Sequence, residues 1–144
     1  MITIGRKDKV DLPEFALFEV NVKVDTGAYG CALHCHKIEL VLRNGKEVLS
    51  FAVLDPDHPE YEGNIFYSEN YDNKIVKNSN GDSQNRYTIK TEVILFNKRE
   101  IVEFSLTDRS KMKYPILLGR KFISNRFLVD VTKKDLSFNQ KNEK

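Results

Sequence analysis

The residues of this chain best suited to chemistry are Asp25-Thr26-Gly27-Ala28, which end an alternating apolar segment. A strand that runs into Asp-Thr-Gly holds a carboxylate at a fixed position in a tight turn, with backbone amides around it. Gly27 permits close approach of another group or a positive φ, and the Thr26 hydroxyl can tie the turn to its neighbours. Such a carboxylate can act as a general base on water when a second carboxyl shares its proton. An ordinary Asp-x-Gly turn between two strands is the alternative interpretation of these four residues.

A second segment of interest is Ile116-Leu117-Leu118-Gly119-Arg120. An apolar strand that ends in glycine and is followed by a short helix occurs in many β proteins. The segment therefore gains meaning only in combination with the Asp-Thr-Gly turn.

The elements that must position these residues are mostly strands. Residues 18–25 place Phe18, Val20, Val22 and Val24 on one face and polar residues on the other, which is typical of a half-buried strand. Short strands with frequent turns favour a barrel or a sandwich. The sequence predicts strands at 18–25, 38–42, 47–54, 87–96, 100–106, 114–118 and 127–131, a hairpin turn at Asn44-Gly45 and one short helix at 119–124.

Two segments lack a strand pattern. Residues 55–73 hold six acidic residues and no lysine or arginine, and their prolines and glycine predict a long surface loop that is either functional or merely solvated. Residues 133–144 are rich in lysine and asparagine, which predicts a frayed polar tail. The folded domain is therefore expected to span residues 1–132.

Composition limits the class of protein. The chain has 144 residues, which is one domain, and its net charge of +2 argues against binding nucleic acid through bulk charge. No apolar run reaches the roughly 20 residues of a membrane span, and the first residues do not read as a signal peptide. With only two cysteines, Cys31 and Cys35, the sequence predicts a reduced cytoplasmic protein.

The two chemical segments together resemble the retropepsin-type aspartic proteases. More narrowly, residues 4–131 resemble the bacterial and archaeal family labelled ATP-dependent zinc protease. That family includes the RimB-like retropepsin-type peptidases, and its members are often found with RimK-type ATP-grasp ligases. The resemblance is carried by the segments GRKDKVDLPEF, VKVDTGAYGCALH, VKNSNGDSQNRYTIKTEV, LTDRSKMKYPILLGRKF and FLVDV.

The resemblance implies an all-β fold, a small closed barrel of the acid-protease type, with the apolar-apolar-Gly strand threaded beside the Asp-Thr-Gly loop. It assigns catalysis to Asp25, Thr26 and Gly27, and an active enzyme needs a homodimer that supplies one Asp25 from each chain. Two like charges a few ångströms apart do not both ionise easily, so the pair holds one proton. A flap over the cleft is expected at 47–54 with the loop that follows.

The family label mentions zinc and ATP, but the residues give little support for a zinc site or an ATP site. The chain has no His-Glu-x-x-His and no Walker-type phosphate loop. In an extended strand Cys31 and Cys35 share one face, while His34 and His36 point to the other, which is a poor geometry for a tetrahedral metal site. We therefore expect no metal and no cofactor.

The arginines in the family-like segments bear on the substrate. A ligase that adds glutamates to a protein would give this peptidase an acidic tail to trim, and the planar arginine fork suits carboxylates. We assign Ala28, Arg86 and Arg120 to substrate binding and Arg109 to a structural ion pair. A structural ion pair is also open for Arg120.

Two functional hypotheses from different classes follow. The first is an aspartic peptidase that acts on acidic, glutamate-bearing tails as a homodimer. The second is a module of the same fold that binds acidic peptides or amino acids without cleaving them, as an accessory to a ligase. A third, a metal-dependent hydrolase, depends on the family label and the Cys/His cluster.

Overall fold

The computed structural model describes residues 1–77, 80–108 and 113–143. Its regular elements are mostly strands, and no helix in these ranges is long and apolar enough to cross a membrane. The strands are β1 (Ile2–Ile4), β2 (Lys7–Leu12), β3 (Leu17–Val24), β4 (Cys31–Arg43), β5 (Lys46–Val53), β6 (Ile65–Ser68), β7 (Asp72–Lys77), β8 (Ser83–Leu95), β9 (Lys98–Thr107), β10 (Ile116–Leu118) and β11 (Phe127–Val129), and the helices are a 3-10 turn (Pro13–Phe15), α1 (Arg120–Ile123) and α2 (Leu136–Lys141).

Six strands form a closed ring in the order β10, β3, β2, β8, β9 and β4, because β4 pairs in turn with β10. Strands β5 and β6 extend from β4, and β7 pairs with β8 outside the ring. Strands β1 and β11 form a separate parallel pair. The ring encloses fully buried apolar side chains, among them Val22, Leu33, Phe104, Ile116 and Leu118. The all-β closed barrel expected from the sequence is confirmed, and the short helix follows β10 as predicted.

The alternation assigned to residues 18–25 is wrong at its first residue. Phe18 is 52% exposed, whereas Leu17 is buried. The register between β2 and β3 shifts between the pairs Val10–Val20 and Leu12–Leu17, so β3 carries one extra residue there. Glu19 takes a positive φ of 55° at this bulge, and its N–H donates to the Asp11 carboxylate at 2.9 Å. A β-bulge of this kind reverses the face of every residue on one side of it.

The expectation of a flap at 47–54 is wrong. Every side chain from 48 to 54 is buried, and β5 is hydrogen-bonded to β4 on one side and to β6 on the other. The predicted hairpin turn at Asn44-Gly45 is present, since both residues have positive φ, 51° and 77°. A strand paired on both edges cannot lift away from the barrel without breaking both ladders.

The acidic segment 55–73 is only half a loop. Residues 55–64 have no strand, but β6 follows and β7 begins at Asp72. Phe66 of β6 packs edge-on against Phe15, with ring centroids 4.8 Å apart. The acidic composition hid these strands, of which β6 is attached to the barrel by Phe66 and β7 is held by its pairing with β8.

Residues 133–144 do not form a frayed tail over their described length. The Lys7 ammonium pairs with Asp135 at 3.1 Å, and helix α2 follows directly. Asp8, fully buried on β2, accepts hydrogen bonds from the backbone N–H groups of Ser137 at 2.8 Å and Phe138 at 3.1 Å. These groups belong to the first turn of α2, where backbone N–H groups have no partner within the helix. A carboxylate on a distant strand therefore supplies the cap that fixes the C-terminal segment.

We expect Asp8→Ala to destabilise the protein by about 3 kcal/mol, because buried N–H groups that lose their acceptor cost about 1–3 kcal/mol each. Urea unfolding followed by circular dichroism measures the loss. Asp135→Asn is the matched control, since it removes the charge of a part-buried ion pair, keeps a residue type that tolerates the positive φ of 57° there, and should cost less than about 1 kcal/mol. Equal losses in the two variants would contradict the assignment of Asp8 as the cap.

Candidate active site around Asp25

Strand β10 holds the Asp25 turn at the edge of the barrel. It lies between β3, with which it runs parallel, and β4, with which it runs antiparallel. Leu118 pairs with Val24, and the Leu118 carbonyl accepts the Asp25 N–H at 2.9 Å. The apolar-apolar-Gly strand thus lies beside the Asp-Thr-Gly loop, as the resemblance implies. The backbone of Asp25 is fixed by two strands that are far apart in the sequence.

The Asp25 carboxylate is oriented by its own turn. Its Oδ1 accepts the Gly27 N–H at 3.1 Å, and its backbone carbonyl accepts the Ala28 N–H at 3.2 Å. A Cβ at Gly27 would lie 3.3 Å from Asp25 Oδ1, and Gly27 does not need a left-handed φ. Glycine therefore serves here to keep the carboxylate uncrowded rather than to relieve the backbone.

The loop faces outward. Asp25 is half-buried, Thr26 and Gly27 are exposed, and the Tyr29 side chain is 64% exposed. A carboxylate held by buried strands but presented at the surface is accessible to another molecule.

The start of α1 locks the far side of the loop. The N–H of Arg120 donates to the Ala28 carbonyl at 2.9 Å, and the N–H of Lys121 donates to the Tyr29 carbonyl at 2.8 Å. The N–H of Gly119 donates to Cys31 Sγ at 3.4 Å. Burial is the main cause that raises the pKa of the Cys31 thiol, so this sulfur acts as a neutral acceptor.

Of the three arginines, the structure describes Arg120 and Arg86, which have different hydrogen-bond partners. Arg120 donates from Nη1 to the Thr26 carbonyl at 2.9 Å, so its guanidinium lies against the Asp25 turn. Arg86, on β8, donates to the Gln84 side chain at 3.1 Å, and among the described residues it makes no hydrogen bond to the Asp25 turn. Arg109 lies outside the described residues. The structural ion pair left open for Arg120 is not among the ion pairs of the described residues, where its guanidinium instead contacts the Thr26 carbonyl.

The Cys/His cluster splits across β4 as the period of two requires. Cys31 and Cys35 are buried in the apolar core, and burial raises the pKa of Cys35 far above its ordinary value. His34 Nε2 is hydrogen-bonded to the Asp55 carboxylate, and His36 Nε2 is hydrogen-bonded to the Tyr61 hydroxyl at 3.0 Å. In the part of the chain that the structure describes, no three Cys, His, Asp or Glu side chains form a metal-binding group.

The pair of His34 and Asp55 is a feature that the sequence analysis missed. His34 is only 2% exposed, and Leu54 N–H donates to its carbonyl at 2.9 Å. Partial burial opposes ionisation of Asp55. The hydrogen bonds from His34 and from the Asp57 N–H, the latter at 2.8 Å, together outweigh this effect, so the pKa of Asp55 falls below its usual 3.8. The pair fixes the start of the loop 55–64 to the barrel.

Asp55→Asn should lower the free energy of unfolding at neutral pH, because the lowered pKa shows that the folded state favours the charged carboxylate. This contribution is present above the unfolded pKa and is lost as the pH falls through the lower folded pKa. Urea unfolding of both proteins across the acid range measures it. The difference should shrink below pH 3.8; a constant difference would mean that shape rather than charge matters at this position.

Comparison with known proteins agrees with this geometry. The family model described as "RimB-like: Retropepsin-like aspartic endopeptidase RimB" matches residues 3–140. A crystal structure of a Legionella pneumophila protein with unknown function superimposes with a TM-score of 0.70 at 25% identity, and the match covers 94% of this chain and 98% of that one.

The curated relatives of this chain are named as ligases, whereas the matching family model is named as an endopeptidase. A probable alpha-L-glutamate ligase of Shewanella pealeana is 32% identical over 131 residues, which is 88% of this chain and 28% of that protein. One of Desulfotalea psychrophila is 30% identical over 131 residues, 88% of this chain and 27% of that protein. The chain thus spans little more than a quarter of these relatives. The family match over nearly all of its length decides the assignment: the chain belongs to the RimB-like family of retropepsin-like aspartic endopeptidases.

Proposed function

We propose that this chain is an aspartic peptidase that acts as a homodimer, with one Asp25 from each protomer in a shared site. The observation that carries the proposal is the position of Asp25. Its backbone is fixed by the Leu118 carbonyl, its carboxylate is oriented by the Gly27 N–H, and its turn is exposed where a second copy can approach. Membership of the RimB-like family supports the same reaction.

In the proposed reaction one carboxylate takes a proton from water, and the other donates its proton to the oxygen of the scissile carbonyl. The pair holds one proton because two adjacent carboxylates do not both ionise easily. The resulting hydroxide adds to the carbonyl carbon, and the C–N bond breaks as the amine leaves with a proton. Thr26 would brace the two turns against each other, and Gly27 would leave room for the substrate.

We propose that the substrate is an acidic, glutamate-bearing tail. The names of the curated relatives support this class, since each is named a probable alpha-L-glutamate ligase. Arg120 is held against the Asp25 turn, which supports a role close to the scissile bond, with Ala28 beside it. Arg86 lies on the exposed hairpin of β7 and β8. We propose that Arg86 binds the substrate from this strand pair.

The proposed setting is the cytoplasm, with a RimK-type ligase in the same pathway. Cys31 and Cys35 are both free thiols, which suits a reducing compartment. The ligase would extend the acidic tail and this peptidase would shorten it. The proposal requires no metal, no ATP and no nucleic acid.

A second candidate function is a non-catalytic module that binds acidic peptides for a ligase. It is favoured by the fact that the matched relatives are named as ligases and that this chain spans only 28% of one of them. A single protomer also supplies only one Asp25. Multiple turnovers on an acidic peptide would exclude this candidate, and tight binding without cleavage would favour it.

The experiment that tests the proposal is hydrolysis of an acetylated hexaglutamate peptide by the purified protein, with and without EDTA, followed by mass spectrometry of the products. We expect cleavage that EDTA does not reduce. Cleavage that EDTA abolishes would support the metal-dependent hydrolase instead. No cleavage by a protein shown to be dimeric would contradict the proposed function.

A further inference from the structure

A groove on the outer face of the barrel has no role in the mechanism proposed above. Its volume is about 480 Å³, which is within the range of ligand-binding cavities. Apolar side chains of β9 and α1 form part of its lining, including Ile101 and Phe122. We call it the basic groove, defined by its charged lining residues Lys74, Lys90, Lys121, Arg126, Asp72 and Glu103.

The basic groove carries more positive than negative charge. Its only carboxylates in the described chain are Asp72 and Glu103, against four cationic side chains. Glu103 is engaged by Lys74 at 2.6 Å and by Lys121 at 3.3 Å. The hydrogen bond from Lys74 is the main cause that lowers the pKa of Glu103, so the carboxylate stays ionised.

Lys90 is the uncommitted cation of the groove. It lies directly opposite Glu103 in the β8–β9 register, and residues opposite each other in an antiparallel pair present their side chains on the same face. Glu103 already pairs with Lys74 and Lys121, and within ranges 1–77, 80–108 and 113–143 the Lys90 ammonium has no hydrogen bond or ion pair. Its charge is therefore available to an anion from outside the chain.

One end of the basic groove touches the segment that continues from Asp25. Cys31, at the start of β4, lines the groove, and the Lys121 N–H is bonded to the Tyr29 carbonyl at 2.8 Å. A peptide seated at Asp25 could thus extend into the groove without crossing the barrel.

We propose that the basic groove is a binding site for the carboxylate side chains of an acidic peptide segment, outside the residues that flank the cleaved bond. This inference rests on the proposed function and extends it from the cleavage site to a second contact. An extended peptide presents alternate side chains on one side about 7 Å apart. Lysines on flexible stems can meet such a row of carboxylates. Glu103 acts as an internal competitor that holds Lys74 and Lys121 until a peptide replaces it.

The test is the affinity of a fluorescein-labelled hexaglutamate peptide for the full chain carrying Asp25→Asn, measured by fluorescence anisotropy, with hexaglutamine as the neutral peptide. In this background Lys90→Glu should weaken binding about tenfold, the effect of reversing one charge at a site of several ion pairs. Lys46→Glu is the matched control, because Lys46 lies on the β4–β5 hairpin and does not line the groove. It should change the affinity by less than about twofold.

Glu103→Gln tests the basic groove more decisively than Lys90→Glu does. It removes the competitor and frees two ammonium groups, so affinity for hexaglutamate should rise about threefold or more. If the ion pairs of Glu103 only tie β7, β9 and α1 together, the same variant should leave affinity unchanged or reduce it, and that outcome would overturn the proposal. Equal weakening by Lys90→Glu and Lys46→Glu would also overturn it, since bulk charge would then explain binding.

The experiments can contradict the peptidase proposal and the basic-groove proposal independently of each other. Groove-dependent binding together with a wild-type protein that never cleaves the peptide would contradict the peptidase and retain the groove. Cleavage by the wild type, with groove variants that bind like Lys46→Glu, would retain the peptidase and exclude the groove. Circular dichroism melts of each variant verify that the fold is intact.

Discussion

Asp25→Asn is expected to lower the rate of hexaglutamate hydrolysis about 1,000-fold or more, while the fold and the dimer persist. Asparagine keeps the size of the side chain, and its oxygen can still accept the Gly27 N–H. It has no carboxyl to exchange a proton with water or with the scissile carbonyl, and proton transfer of this kind contributes about 10²–10⁴ to rate. Steady-state kinetics and analytical ultracentrifugation measure the two properties.

Mixing the two proteins tests the shared site more directly than either protein alone. If each site needs one Asp25 from each protomer, only wild-type pairs are active after subunits exchange. At equal concentrations the activity per total dimer should then fall to about one quarter of that of the wild type, because random pairing leaves that fraction of wild-type pairs. If each protomer acted alone, activity would fall only to about one half, and the dyad would be excluded.

Asp25→Glu is a useful companion to this variant. It retains a carboxyl but lengthens the side chain, so it displaces the acid from the position set by the Asp25 turn. A large loss of activity in both variants shows that position as well as charge is required. Retention of full activity by Asp25→Asn would contradict the aspartic mechanism whatever the companion does.

Much of the barrel could be predicted because its strands are buried on one face. The alternation of residues 20–24 survives in β3, and the Asn44-Gly45 turn fixes the β4–β5 hairpin. The exposed position of Phe18 could not be predicted. A single bulged residue moves Phe18 to the opposite face of β3, and the apolar alternation of the sequence does not reveal the bulge. The first part of β4 was missed because its burial on both faces removes the alternation.

The C-terminal segment shows what local composition leaves out. Residues 133–144 look like a solvated tail because lysine and asparagine dominate them. Their order depends on a carboxylate of Asp8, which is more than a hundred residues away, and on the Ser137 hydroxyl, which accepts the Phe96 N–H at 2.8 Å. Long-range caps of this kind cannot be read from the residues they cap.

The candidate site could be predicted in its parts, and the fold shows how they fit. Asp25 and Leu118 are each recognisable from local patterns, and only the sheet register shows that one hydrogen-bonds the other. The His34–Asp55 pair had no local signal, since a lone histidine in an apolar strand does not indicate its partner. Pairings between distant strands are therefore the information that the sequence patterns lack.

Gly119→Ala is expected to damage both stability and activity, because this corner has no room for a side chain. A Cβ at Gly119 would lie 2.2 Å from the Gly30 carbonyl oxygen and 2.7 Å from that of Tyr29. Both contacts are to backbone, which cannot swing aside as a side chain can. The Gly119 backbone itself is extended, with φ of −95°, so the cost is steric rather than conformational.

Relief of this clash requires the segment 28–30 to move away from α1. That movement breaks the hydrogen bonds from the Arg120 N–H to Ala28 and from the Lys121 N–H to Tyr29. We expect a loss of about 3 kcal/mol or more, as overpacking and lost hydrogen bonds add. Because the same segment continues from Asp25, hydrolysis should fall in the molecules that remain folded.

Gly30→Ala is the matched control on the opposite side of the corner. A Cβ there meets nothing within 4 Å, so the same chemical change should alter stability by less than about 1 kcal/mol. Urea unfolding and hexaglutamate hydrolysis of both variants make the comparison. If the two alanine variants behave alike, the contact between α1 and the Asp25 loop does not hold the site in place. The pairing of β10 with β3 would then be the contact that fixes Asp25 for the proposed peptidase reaction.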